Sequence, residues 1–136
     1  MLVREVMSCD VVSISGDRTA AEAAQLMSKH NIGVLPVTDG NCVKGIVTDR
    51  DIVLRCVAKG MDSTSCKVCD VMSCNTTFVS PDQSVSDAAR IMACEQIRRI
   101  PVLEGGNLAG MITLGDISRY KQDAEVAQAM CEISKP

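Results

Sequence analysis

The spacing of apolar residues changes along the chain in a regular order, and each change predicts an element. Residues 3–7, with Val3, Val6 and Met7, read as a short amphipathic helix, and residues 68–72 read the same way. Residues 11–14 and 77–79 are enriched in β-formers and read as short strands. Ala20, Ala23, Ala24 and Met27 then share one helical face, as do Val85, Ala88, Ala89 and Met92. Helix-start signals precede both runs: Asp17 ahead of Thr19, and Pro81-Asp82-Gln83-Ser84 ahead of Val85. A side-chain oxygen at such a position accepts hydrogen bonds from the unpaired N–H groups of the first turn. Strand pairs follow at 34–38 with 42–48 and at 99–103 with 108–113. Their turns, Asp39-Gly40-Asn41 and Glu104-Gly105-Gly106-Asn107, carry the Gly and Asn that supply positive φ in tight hairpins. Second helices are predicted at 49–59, stopped by Gly60, and at 114–120. Val126, Ala127, Met130 and Ile133 form a stripe that predicts a last helix in the tail.

The elements recur because the chain matches itself at an offset of 65 residues. Val6-Met7-Ser8-Cys9 returns as Val71-Met72-Ser73-Cys74, Pro36-Val37 as Pro101-Val102, and Gly45, Thr48 and Asp51 as Gly110, Thr113 and Asp116. No gap is needed between residues 6 and 55, so the match is not a chance one. Two copies are too few for a solenoid. The expected fold is α/β (α+β): two β-α-β-β-α repeats packed face to face around a pseudo-twofold axis. The expected divisions are 1–60, a linker at 61–67, a second repeat at 68–122 and a helical tail at 123–136.

Composition narrows the function. A chain of 136 residues can bury a core without disulfide staples. Phe78 and Tyr120 are its only aromatics, so platforms for stacking bases are missing. The net charge is -3 and no basic run exceeds Arg98-Arg99, which argues against nucleic acid. No apolar stretch nears the roughly 20 residues of a membrane span, and no signal-peptide core opens the chain, so the expected location is cytoplasmic and off the membrane. Eight cysteines are then expected to be reduced, most of them buried as small apolar residues. Cys66-Lys67-Val68-Cys69 with Cys74 has a spacing that thiolate–zinc sites use, but no second such pair accompanies it. A metal or redox sensor on these three thiols is a rival reading. His30 sits at a helix end, where its cation suits the dipole. There is no Ser-His-Asp set, Walker loop or dinucleotide fingerprint, so neither catalysis nor a required cofactor is expected.

The chemistry concentrates in Gly45-Ile46-Val47-Thr48-Asp49-Arg50-Asp51 and its mate Gly110-Met111-Ile112-Thr113-Leu114-Gly115-Asp116. Each ends a strand and begins a helix. Free N–H groups there attract anions, the Thr hydroxyl can donate to a phosphate oxygen, and the Asp can accept two hydrogen bonds from a ribose diol. The same Thr-x-x-Asp is also an ordinary helix cap. Arg98 and Arg99, ahead of Pro101, have the guanidinium forks that suit phosphate.

The element order, the Val-Met-Ser openings and the two Gly-x-x-Thr-x-x-Asp segments resemble the cystathionine β-synthase (CBS) domain pair, or Bateman module, across residues 3–120. The resemblance implies a free-standing regulatory module that binds an adenine nucleotide, or a related adenosyl ligand, in the cleft between the repeats. It assigns Asp51 and Asp116 to ribose, and Thr48 and Thr113 to phosphate or ribose. It implies one site of Thr48, Arg50 and Asp51 with Arg98 and Arg99, and a second of Thr113 and Asp116 with Gly33 and Val34. The second has fewer charges and is expected to take a less charged ligand, bind weakly or stay empty. Adenine is expected against Val12, Ile14, Val34 and Pro36. A disc-like homodimer and an unnamed regulated protein complete the implied partners. A scaffold or dimerisation protein with empty clefts is the other rival.

Overall fold

The computed structural model describes residues 1–74, 77–120 and 131–133. In chain order the elements are α1 (Val3–Val6), β1 (Ile14–Ser15), α2 (Ala20–His30), β2 (Val34–Asp39), β3 (Cys42–Thr48) and α3 (Asp49–Ile52). Then follow α4 (Val68–Val71), α5 (Val85–Glu95), β4 (Arg99–Glu104), β5 (Asn107–Thr113) and α6 (Leu114–Tyr120). Residues Val53–Val57 continue α3 as a π-helical turn, and Gly60, at φ +70°, lies just beyond it. The strand expected at 11–14 is shorter than its sequence pattern, and the one expected at 77–79 contracts to a single parallel bridge, Val79 to Val102. Most of the expected tail helix lies outside the described residues. Cys131–Ile133 are helical, and Ile133 packs on the core that holds α5.

Two compact units form. One holds Val12 to Cys74; we call it the repeat-1 unit. The other joins Met1–Val11 to the described residues from Thr77 onward; we call it the repeat-2 unit. These units cut across the sequence divisions at 1–60 and 68–122, because the opening segment of each repeat is built into the unit of the other. Val3 N–H donates to Gln83 O at 2.8 Å, and Ser8 and Met111 exchange N–H to carbonyl bonds at 2.9 Å. In the repeat-1 unit Val68 N–H donates to Arg18 O at 2.8 Å, and Ser73 exchanges bonds with Ile46 at 2.8 and 3.0 Å. A four-residue helix cannot bury its own apolar stripe, so Val3 and Val6, and likewise Val68 and Val71, go into a larger core.

Each core uses the same repeat positions. Ile14, Ala20, Ala23, Met27, Leu35, Val37, Val47 and Ile52 fill one. Their mates Val79, Val85, Ala88, Met92, Ile100, Val102, Ile112 and Ile117 fill the other. Ala24 departs from the expected face: it is exposed, whereas its mate Ala89 is buried. In the repeat-1 unit β1 runs parallel to β2, and β2 antiparallel to β3; in the repeat-2 unit β4 pairs antiparallel with β5. Gly45 and Gly110 are set by close backbone approach. A Cβ at Gly45 would stand 2.5 Å from Ser73 O, and one at Gly110 would stand 2.6 Å from Ser8 O. The crossing segment can pair with the strand only if no side chain stands there.

The cysteine expectation is corrected. Only Cys56 and Cys66 are buried, and the other six are exposed. The exposed thiols fall on turns, an outward strand end and outer helix positions, which the repeat pattern never assigns to a core.

Candidate functional site

β3 ends at Thr48, whose extended backbone (φ -114°, ψ 162°) makes it the cap of α3. Thr48 Oγ1 accepts from Asp51 N–H at 3.0 Å, and Thr48 N–H donates to Asp51 Oδ2 at 3.0 Å. Thr113 and Asp116 repeat this exchange at the start of α6, again with both bonds at 3.0 Å. A reciprocal cap satisfies two otherwise unpaired donors and fixes the Asp rotamer. The cap reading and the ligand reading therefore coexist. Oδ2 of each Asp is held by the Thr, Oδ1 points elsewhere, and the Thr hydroxyl keeps its proton for another acceptor.

The surroundings of Oδ1 differ. Asp51 Oδ1 lies 3.5 Å from Ser73 Oγ and 3.8 Å from Arg55 Nη1. Arg55 Nη1 also donates to Val71 O at 2.9 Å, Met72 O at 3.0 Å and Ser73 Oγ at 3.3 Å, so this guanidinium ties α3 to the end of α4. Asp116 Oδ1 pairs with Arg119 Nη2 at 3.2 Å, and that arginine is otherwise exposed. The Asp side chains keep only 13% and 15% of their surface, which strengthens any charge-assisted bond to a ligand hydroxyl. Sequence reasoning missed Arg55 and Arg119. The signal was an arginine four or three residues after each Asp, the spacing at which helical side chains meet.

The helix starts also differ. At α3 the anion-attracting N–H groups are already used. Asp49 N–H donates to Gly33 O at 3.0 Å, Arg50 N–H to Asp49 Oδ1 at 2.8 Å, and Asp51 N–H to Thr48. The Asp49 carboxylate fills the space over Gly33, where an added Cβ would meet Oδ2 at 2.9 Å. At α6, Leu114 and Gly115 replace Asp49 and Arg50. Leu114 N–H donates to Arg98 O at 2.8 Å, and a Cβ at Gly115 would meet only Thr113 Oγ1 at 3.7 Å. Asp116 N–H is taken by Thr113 Oγ1 as at the first junction, so the two starts differ at the second position, where Gly115 replaces the Arg50 whose N–H is bonded to Asp49 Oδ1.

The remaining expected residues divide between the units. Val12, Ile14, Gly33, Val34, Pro36 and Arg50 accompany Thr48 and Asp51; Arg98, Arg99 and Pro101 accompany Thr113 and Asp116. Within its own unit Gly33 is seated beside Thr48–Asp51 by its carbonyl, and Arg98 beside Thr113–Asp116 by its own. Arg50, Arg98 and Arg99 are exposed and form no ion pair with a described residue. Val12, Gly33 and Val34 are half-buried, whereas Ile14, Pro36 and Pro101 are buried and offer little wall to a base. A groove of about 560 Å³ lies between β1 and α2, lined by Ser13, Ser15, Arg18, Glu22 and Lys29 among others. Of the expected site residues it touches only Ile14.

Among the described residues no group of three or more His, Cys, Asp or Glu side chains is placed to hold a metal ion, so Cys66, Cys69 and Cys74 are not gathered into one. No helix among the described residues is long and apolar enough to cross a membrane. His30 closes α2 and is exposed, and Asn31 follows in the left-handed conformation.

Comparison with known proteins fits this architecture. The CBS-domain family profile matches twice, over residues 3–57 and 68–123. CBS domain-containing protein YhcV of Bacillus subtilis (strain 168) is 40% identical over 133 residues, spanning 97% of this chain and 94% of the relative. The crystal structure of Hypoxic Response Protein I with two coordinated zinc ions superposes with a TM-score of 0.81 at 31% identity, over 89% of this chain and 99% of that one. The CBS domain pair of protein MJ0100, solved in complex with 5′-methylthioadenosine and S-adenosyl-L-methionine, gives a TM-score of 0.76 at 28% identity, over 88% and 94%. The chain belongs to the CBS-domain family and has the tandem CBS-pair fold.

Proposed function

We propose that this protein is a non-catalytic regulatory module that binds an adenosyl ligand, AMP, ADP, ATP or a sulfur-linked adenosyl compound, at its Thr-x-x-Asp junctions. One observation carries the reading. The same half-buried Asp cap is built twice, each time with one carboxylate oxygen fixed by the cap and the other directed away from it. A ribose diol supplies two donors to such an acceptor. The adenosyl ligands named for the MJ0100 pair support the ligand class. Thr113–Asp116, which has Gly115 in place of Arg50, Leu114 in place of Asp49 and Arg98 alongside, is the junction suited to phosphates; Thr48–Asp51, beside the Asp49 carboxylate, suits an uncharged adenosyl group. Regulation follows if the ligand favours one conformation of the protein over another, which shifts its affinity for a regulated partner.

A thermal-shift panel of AMP, ADP, ATP and 5′-methylthioadenosine tests the reading. Stabilisation by at least one compound, absent with inorganic phosphate or ribose alone, is the expected result. No shift with any of them moves the assignment to an assembly role. That second reading has its own observation. Val53, Leu54, Val57 and Met61 are all exposed apolar side chains of the repeat-1 unit, 45–62% exposed, whereas the repeat mates of Val53 and Leu54 are Ser118 and Arg119. A group of exposed apolar side chains on one repeat, with polar residues at the equivalent positions of the other, suits an interaction surface such as a homodimer contact. Sedimentation of a Val53→Ser, Leu54→Arg variant reads this separately from ligand binding.

A further inference from the structure

Asp51 Oδ1, the carboxylate oxygen that the cap leaves over, already has partners, and they tie it to another segment. Ser73 Oγ donates to it at 3.5 Å, and Arg55 Nη1 stands 3.8 Å from it. Arg55 Nη1 also donates to Ser73 Oγ at 3.3 Å, so the hydroxyl accepts from the guanidinium and donates to the carboxylate. The guanidinium itself is seated on Val71 O at 2.9 Å and Met72 O at 3.0 Å, at the end of α4. Arg55 is the middle residue of the π-helical turn Val53–Val57, a departure from α-geometry of the kind that accompanies functional sites. The repeat-2 unit is built otherwise. There α6 stays α-helical through Tyr120, the repeat mate of Arg55, and Arg119 bonds to Asp116 Oδ1 and to Gly115 O of its own helix. We propose that Arg55 and Ser73 compete with the ligand for Asp51 Oδ1, so that a ribose diol bound there loosens the crossing segment 68–74; this rests on the adenosyl reading of the junction.

Oδ2 is committed to the cap, so a diol has to bind at Oδ1. The Asp51 side chain keeps only 13% of its surface, and a ligand hydroxyl enters around Oδ1 by moving a group already there. The contacts that yield are the long ones. A hydroxyl at 3.5 Å and a half-exposed guanidinium at 3.8 Å hold the oxygen weakly, whereas a diol at ordinary distance makes charge-assisted bonds to it. The displaced groups are anchored elsewhere. Ser73 N–H donates to Ile46 O at 2.8 Å and Ser73 O accepts from Ile46 N–H at 3.0 Å, so Ser73 pairs the crossing segment with β3 two residues before Thr48. Arg55 holds the same segment by the carbonyls of Val71 and Met72. Moving both from Oδ1 therefore weakens the hold on 68–74. Linkage requires the converse: a change that removes the competitors strengthens the ligand.

Amide hydrogen exchange read by NMR, with 5′-methylthioadenosine as the probe, tests the competition. Bound ligands ordinarily slow exchange near their site. Here the Ser73 amide is expected to exchange at least threefold faster in the saturated protein, while the Asp51 amide, held by Thr48, is not accelerated. Affinities are compared in an Asp116→Ala background, so that the first junction alone reports. Ser73→Ala, which keeps both backbone bonds, is expected to tighten binding about threefold, and Arg55→Met about fivefold. Arg55→Lys is expected to return the affinity toward that of the parent. An Arg55 with only a structural role would lower the melting temperature and leave the affinity where it was. Unchanged affinity in Ser73→Ala and Arg55→Met, or a Ser73 amide that slows on binding, overturns the proposal. A ligand-free comparison stands apart from the adenosyl reading: Asp51→Asn, which keeps an oxygen for the cap and removes the charge, is expected to speed Ser73 exchange. No change there overturns the tie itself. Absence of binding in every protein overturns the adenosyl reading, and with it the competition, while the ligand-free comparison still decides the tie.

Discussion

The Thr48–Asp51 and Thr113–Asp116 junctions have identical caps and different neighbours. Both sit where a strand turns into a helix, both exchange two 3.0 Å bonds, and both follow a glycine that admits a crossing backbone. Around the first, Asp49 occupies the helix start and Arg55 is fixed on backbone carbonyls. Around the second, Leu114 and Gly115 stand in place of Asp49 and Arg50, Arg119 is on the surface and Arg98 is alongside. The frame is a requirement of folding and so it is duplicated. The rim is free to diverge, and with it the charge that each junction tolerates. The cores diverge too, since only the repeat-1 unit holds buried thiols among the described residues.

The largest effect should come from breaking what the junctions share. Gly45→Ala and Gly110→Ala each drive a Cβ into a backbone carbonyl, and each is expected to destabilise by about 2–3 kcal/mol in urea unfolding. Gly40→Ala, at φ +64° in open space, is expected to cost about 1 kcal/mol. Equal losses at Gly45 and Gly40 would remove the close-approach argument. Next come the caps. Thr48→Val and Thr113→Val each delete the acceptor for the Asp N–H, at about 1 kcal/mol apiece. Unequal losses would show that the caps are not equivalent. Gly33→Ala sharpens the difference between rims. It meets the flexible end of Asp49, so about 0.5 kcal/mol is expected, falling toward zero in an Asp49→Leu background that copies the second rim.

The smallest effect is a pH dependence carried by the buried Cys66 thiol. The folded state holds Cys66 above its ordinary range, so at high pH the unfolded chain binds fewer protons than the folded one. Stability from this group is complete below the unfolded thiol's pKa and declines as pH rises through it. Melting temperatures from pH 7 upward should therefore fall less steeply in Cys66→Ala than in the parent chain. A steeper fall in the variant contradicts the burial account.

Much of this was legible in the sequence. The repeat offset located both hairpins, because Gly40 and Gly105 mark turns that only positive φ can close, at 64° and 60°. β3 and α6 match their predicted bounds because a long apolar alternation and a Thr cap fix them. The exchange of opening segments was not legible. Val3 and Val68 occupy equivalent positions, and periodicity says that a stripe is buried without saying in which core. Nor was the consumption of the α3 N–H groups, because Asp49 reads equally as a surface charge.

The central claim is that these caps are ligand sites, and calorimetric titration of the reduced protein tests it most directly. AMP, ADP and ATP are titrated into the parent chain and into the Asp51→Ala and Asp116→Ala variants, each first shown to be folded. The account predicts saturable heat with the parent, lost for the phosphate-rich ligands in Asp116→Ala and retained for them in Asp51→Ala. Heat that persists unchanged in both variants, or no heat from any adenine nucleotide, contradicts it.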